Sequence, residues 1–103
     1  MQHLYYDIDG TPLADLKTFL AARGHTDSQV ARTMVGDNVE VSTIWLGINH
    51  NYFGHGEPLI FETMIFGKSL DGGRDQWRYS TREQALAGHD EIVNRLRAEG
   101  VAG

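Results

Sequence analysis

The feature that most constrains this chain is a change of hydrophobic period at Val30. From there "VARTMV" and "VEVSTIWLGI" alternate with a period of two, and "GDN" separates them. A period of two matches the pleat of a β-strand, whose successive side chains point to opposite faces. Glycine, aspartate and asparagine tolerate positive φ, so a three-residue "GDN" connection predicts a hairpin. On its second arm Val39, Val41, Thr43 and Trp45 share one face, while Ser42, Ile44, Leu46 and Ile48 share the other. "LIFETMIFG" reads as a further strand, apolar on both faces and therefore central or covered twice. "KSLDGGRD" is a polar tip, and "QWRY" a short fourth strand.

Helical signals flank this region. Residues 3 to 8 read as a short strand closed by the Asp9-Gly10 turn. Thr11 and Pro12 then suit an N-cap and first helical position, because proline lacks an N–H that would be unpaired there anyway. Leu13, Leu16, Phe19 and Leu20 form an apolar stripe that ends at Gly24, and "HTDSQ" is a loop. Near the C-terminus, Ser80 with Glu83 or Thr81 with Gln84 makes a capping box. Ala85, His89, Ile92, Val93 and Leu96 fall on one face of the helix that follows, and Gly100 stops it. The expected fold is a single α+β domain over residues 1–103. It comprises an antiparallel sheet of three to four strands, with an N-terminal and a C-terminal helix packed on it.

Composition narrows the function classes. With no cysteine among 103 residues, disulfides, thiolate nucleophiles and cysteine-ligated zinc are excluded. Nine lysines and arginines against fourteen acids leave a net charge of −5, with the bases scattered, so duplex nucleic acid is a poor partner. No apolar run approaches the length of a membrane span, and "MQHLYYDIDG" lacks the basic and apolar regions of an export leader. A cytoplasmic location and no membrane partner are expected.

"DIDGT", at residues 7 to 11, resembles the nucleophile motif of haloacid-dehalogenase-type phosphatases. That chemistry needs the aspartate at the end of a central parallel strand, plus a later lysine and acidic pair on further βαβ units. "HLYY" is short and half polar, and hairpin periodicity follows. The string therefore reads as a turn in which Asp and Gly serve geometry.

Three blocks, "VSTIWLGINHNYF", "PLIFETMIFG" and "WRYSTREQALAGH", resemble in order and spacing a family of small proteins of tailed phages and prophages that carry no functional name. The family often has aspartate where this chain has Asn49. The resemblance implies a phage-type accessory protein and no particular reaction.

The candidate site follows from side-chain chemistry. Asn49, His50, Tyr52 and Phe53 lie in a glycine-containing loop that could present an imidazole, an amide and aromatic rings on one side of the sheet. Trp45 precedes them as a stacking surface. Glu62 lies mid-strand between Ile60 and Met64 on its own face, so it needs a partner, with Arg32, Arg78 and His89 as candidates. His89 follows Gly88 on the apolar helix face. A glycine inside a helix costs about 1 kcal/mol against alanine, which predicts close approach of the helix to a strand. The expected ligand-binding set is Trp45, Asn49, His50, Tyr52, Phe53, Glu62 and His89, with His50, Glu62 and His89 converging. His50 and His55 with a glutamate meet the three-ligand minimum for zinc, but their spacing matches no metal signature, so no metal or cofactor is assigned.

Three functions fit. The first is capture of a small ligand, of nucleotide type if it blunts a host-defence signal, by a homo-oligomer. It requires a concave pocket. The second is an interaction module acting on a host or phage protein, which requires an exposed apolar patch and no enclosed cavity. The third, a small hydrolase, metal-assisted and using His50 and His89, requires a bound metal or a histidine pair within hydrogen-bond reach. Capture ranks first and catalysis last.

Overall fold

A computed structural model describes residues 3–51, 56–67 and 76–100. The polar tip at 68–75 and the loop residues Tyr52, Phe53 and His55 lie outside the described residues. The element order is β1 (Tyr5–Tyr6), β2 (Pro12–Leu13), α1 (Leu16–His25), β3 (Gln29–Val35), β4 (Val39–Trp45), β5 (Phe61–Phe66), β6 (Gln76–Tyr79) and α2 (Arg82–Ala98). Strands β3-β4-β5-β6 form an antiparallel sheet in that order, and β1-β2 a two-stranded ribbon. The protein is α+β, with N-terminal and C-terminal helices.

The hairpin falls where the change of period places it. Val35 pairs with Val39 across a turn in which Gly36 takes φ 71°. Alternation holds along β4: Val39, Val41, Thr43 and Trp45 are all buried, and the residues between them are not. Strand β5 is central by pairing, between β4 and β6. Helix α2 covers the inner face of the sheet with Ala85, His89, Ile92, Val93 and Leu96, all buried. Its capping box uses Thr81 and Gln84, one of the two pairs the spacing allows.

The start of the chain departs from expectation. Pro12 and Leu13 belong to a strand, pairing with Tyr6 and Tyr5, and the helix begins at Leu16 with Asp15 as N-cap. Asp7 is the cause. Its Oδ1 accepts from the backbone N–H groups of Asp9 (2.9 Å) and Thr11 (2.8 Å), closing a turn that sends residue 12 back along residue 6. Gly10 in this turn has φ 87°, a conformation that favours glycine. The aspartate of the "DIDGT" string thus serves the turn. Gly24 lies within the last turn of α1, which continues to His25.

Two apolar clusters build the core. One holds Val35, Val39, Val41, Ile65, Ile92, Val93 and Leu96, and the other Tyr6, Phe19, Trp45, Ile60, Phe61 and Ala85. A polar row crosses the sheet between them. His89 Nε2 lies 2.8 Å from Thr33 Oγ1 and its Nδ1 2.8 Å from Thr43 Oγ1. Thr43 bonds Thr63. One chain of hydroxyls and an imidazole therefore touches β3, α2, β4 and β5. It gives every buried polar atom in that row a partner, as burial demands.

Candidate functional site

The predicted residues divide between two faces of the sheet. His89 is on the inner face, 2% exposed, with both ring nitrogens engaged by threonines. Burial lowers its pKa, and Asp90 only partly offsets that. The Gly88 reading holds: a Cβ at that position would collide with the Tyr79 ring, so the helix approaches β6 closely there.

Glu62 points to the opposite face, because it neighbours Thr63 in a pleated strand. Its partner is Arg78, directly across on β6, whose Nε donates to Glu62 Oε2 at 3.0 Å. His50 shares this outer face. Burial lowers its pKa first, the Arg78 guanidinium lowers it further, and the Glu62 carboxylate raises it. His50 thus lies within electrostatic range of the Glu62–Arg78 pair, and His89 is separated from that pair by the thickness of the sheet. The expected convergence of His50, Glu62 and His89 does not occur. A reaction needing both histidines has no geometry here.

Asn49 has a local task. Its Oδ1 accepts from the backbone N–H of Asn51 (2.8 Å) and of Leu59 (3.0 Å), clamping the two ends of the loop. Its own N–H donates to Leu4 O at 2.9 Å. An acceptor oxygen is what the position needs, and the amide supplies it.

Trp45 is fully buried, and its Nε1 donates to Tyr6 O at 3.2 Å. Phe19 meets it edge-on at 5.9 Å, and the Arg23 guanidinium carbon stands 5.3 Å from its ring centroid. Gly47 makes this packing possible: a Cβ there would stand 3.0 Å from Trp45 Cε2 and nearer still to the Phe19 ring.

Above Trp45, between α1 and the end of β4, lies an open hollow of about 450 Å³ lined by Leu16, Phe19, Leu20, Arg23, Ile44, Trp45, Leu46, Ile48 and His50. Its rim is apolar yet exposed: Leu16 51%, Leu20 57% and Ile48 39%. Sequence reasoning missed this surface. The apolar stripe of the sequence includes Leu16 and Leu20, whereas in α1 only Phe19 is buried. The signal was present, since Leu16, Leu20 and Arg23 are spaced at i, i+4 and i+7 along one helix face.

Among the described residues no three metal-ligating side chains gather, and no helix is long and apolar enough to cross a membrane. The chain matches no known family model, no curated protein and no solved structure.

Proposed function

We propose that this protein is an interaction module that seats an apolar segment of a partner protein in the hollow between α1 and the end of β4. In the phage-type setting that the sequence resemblance implies, the partner is a host or phage protein whose action is blocked. The observation that carries this reading is the set of exposed leucine and isoleucine side chains around an open hollow. Leu16 and Leu20 keep half their surface in water although other faces of the same domain bury comparable side chains completely. Contiguous exposed apolar surface of this kind marks association sites. Burying the remaining exposed half of each leucine contributes about 1 kcal/mol.

Small-ligand capture is supported less. Of the side chains proposed for it, Trp45 is sealed in the core, Asn49 holds the loop, Glu62 is tied to Arg78, and His89 is spent in the polar row. His50 alone of the described candidates combines partial exposure with a place beside the hollow.

A displayed random-peptide library tests the reading. Enrichment of peptides with apolar residues three or four apart is expected on the wild type, and its loss on Leu20→Asp, with the fold retained because Leu20 is exposed. Enrichment that survives Leu20→Asp refutes the site. A nucleotide retained through native mass spectrometry favours capture instead.

A further inference from the structure

The hollow holds a cation in a fixed place. Arg23 Nη1 donates to Leu46 O at 3.0 Å. Its guanidinium carbon lies 5.6 Å from the Phe19 ring centroid and 5.3 Å from that of Trp45. One hydrogen bond and two rings therefore set the position of the group. The ion pairs among the described residues are Arg32–Glu40 and Arg78–Glu62, and neither involves Arg23. The helix that carries it, "LKTFLAARGH", contains lysine, arginine and histidine but no acid, within a chain of net charge −5.

From this we infer that Arg23 is the specificity residue of the docking surface and takes a carboxylate of the partner, an aspartate, a glutamate or a chain terminus flanking its apolar segment. The inference rests on the reading of the hollow as a protein-docking surface. A guanidinium has five N–H donors in a planar fork that matches a carboxylate, and the Leu46 carbonyl uses one. Because the group is already immobilised, little rotamer freedom is lost when a carboxylate arrives, so more of the charge-assisted bond appears as affinity. The apolar floor excludes water from one side of that contact, which strengthens it further. The complementary segment is an amphipathic one: aliphatic side chains against Leu16, Leu20 and Ile48, with an acid reaching Arg23.

Three fluorescent helical peptides of about fourteen residues, identical in their leucines and carrying Glu, Gln or Lys at one flank, provide the probe. By anisotropy, the Glu peptide is expected to bind wild type about tenfold more tightly than the Gln peptide, with the Lys peptide weakest. The Glu–Gln gap should shrink as salt is raised and should close in Arg23→Gln. Arg23→Lys, which keeps the charge and loses the fork, should leave an intermediate gap. Circular dichroism of both variants establishes that the fold persists. If Arg23→Gln does not fold, the wild-type comparison and Arg23→Lys still decide. Equal binding of the Glu and Gln peptides, or a gap unchanged in the variants, overturns the carboxylate assignment and leaves the docking surface standing. Binding by none of the three overturns both.

Discussion

Gly88 and Tyr79 touch through a contact that no larger residue at position 88 could keep: an added Cβ would stand 2.5 Å from Tyr79 Cε1 and Cζ, and closer to the hydroxyl. The relationship joins two links. The glycine costs helix propensity locally, and in exchange the helix settles close enough for His89 to reach two threonines. Alanine would gain about 1 kcal/mol of helix propensity and lose about 1–3 kcal/mol to overpacking. Gly88→Ala is therefore expected to lower stability despite its better propensity, as read from the urea midpoint. A rise in the midpoint would show that the helix can shift outward at no cost.

The polar row gives a second prediction. Thr43 is buried and bridges His89 Nδ1 to Thr63. Thr43→Val keeps the shape and β-branching but leaves a buried imidazole nitrogen and a buried hydroxyl each short of one partner. Such groups cost about 1–3 kcal/mol when stranded, so the variant should be destabilised by that order. Val41, next on the same face, lies in an apolar cluster, and Val41→Ala tests cavity cost alone, at about 1–3 kcal/mol. The two variants should differ in pH response. Thr43→Val alters the surroundings of His89, whereas Val41→Ala leaves its hydrogen bonds intact.

That pH response has a definite sign. Burial holds the His89 pKa below the ordinary histidine value of 6.5, so the folded protein binds fewer protons than the unfolded chain in that region. The groups facing His89 from the sheet are the neutral hydroxyls of Thr33 and Thr43, and the neighbouring charge is Asp90 on its own helix. Stability from the neutral imidazole is complete above the unfolded value and is lost as pH falls through the folded one. His50 acts in the same direction, being lowered chiefly by burial as well. Denaturant midpoints should thus fall between about pH 7 and pH 5. His89→Gln should flatten much of that fall and His50→Gln less, because His50 is only partly buried. An unchanged slope in His89→Gln would place the proton uptake elsewhere.

How much of this was legible depends on what each pattern encodes. The period-two run from Val30 to Trp45 specified the strands and which residues share a face, because the pleat alternates side chains, but not which face is inner, and a register shift between Gln29 and Ala31 was not legible in it. The face of α2 was equally readable, and so was the Gly88 approach, since an unfavourable residue inside a helix implies a compensating contact. The first helix was harder. Thr11-Pro12 carries a valid helix-start signal, but the Asp7 carboxylate and the pairing of Tyr6 with Pro12 override it, and Asp15 caps instead. The candidate site was least legible. Spacing shows that Glu62 and Thr63 face opposite ways, yet placing His89 on the Thr63 side requires knowing which face α2 covers. Likewise the Leu16–Leu20 periodicity reveals an apolar face and not what, if anything, lies over it.

Glu62 and Arg78 supply the last prediction. The Glu62 side chain is 8% exposed and the Arg78 side chain 35%, so the pair is buried on one side only, and the two do not contribute equally when removed. Arg78→Met strands a buried negative charge. A fully buried pair would lose about 3–5 kcal/mol that way, and the partial exposure of Arg78 reduces the expected loss to about 1–3 kcal/mol. Adding Glu62→Gln removes the stranded charge, so the double variant should recover part of the loss and be more stable than Arg78→Met alone. Urea midpoints of the wild type, both single variants and the double variant close a cycle that reads the coupling directly. A coupling near zero would mean that Arg78 acts only as cover, with the Glu62 charge held by other groups. A clear coupling would make the pair a tie between β5 and β6 on the outer face of the sheet.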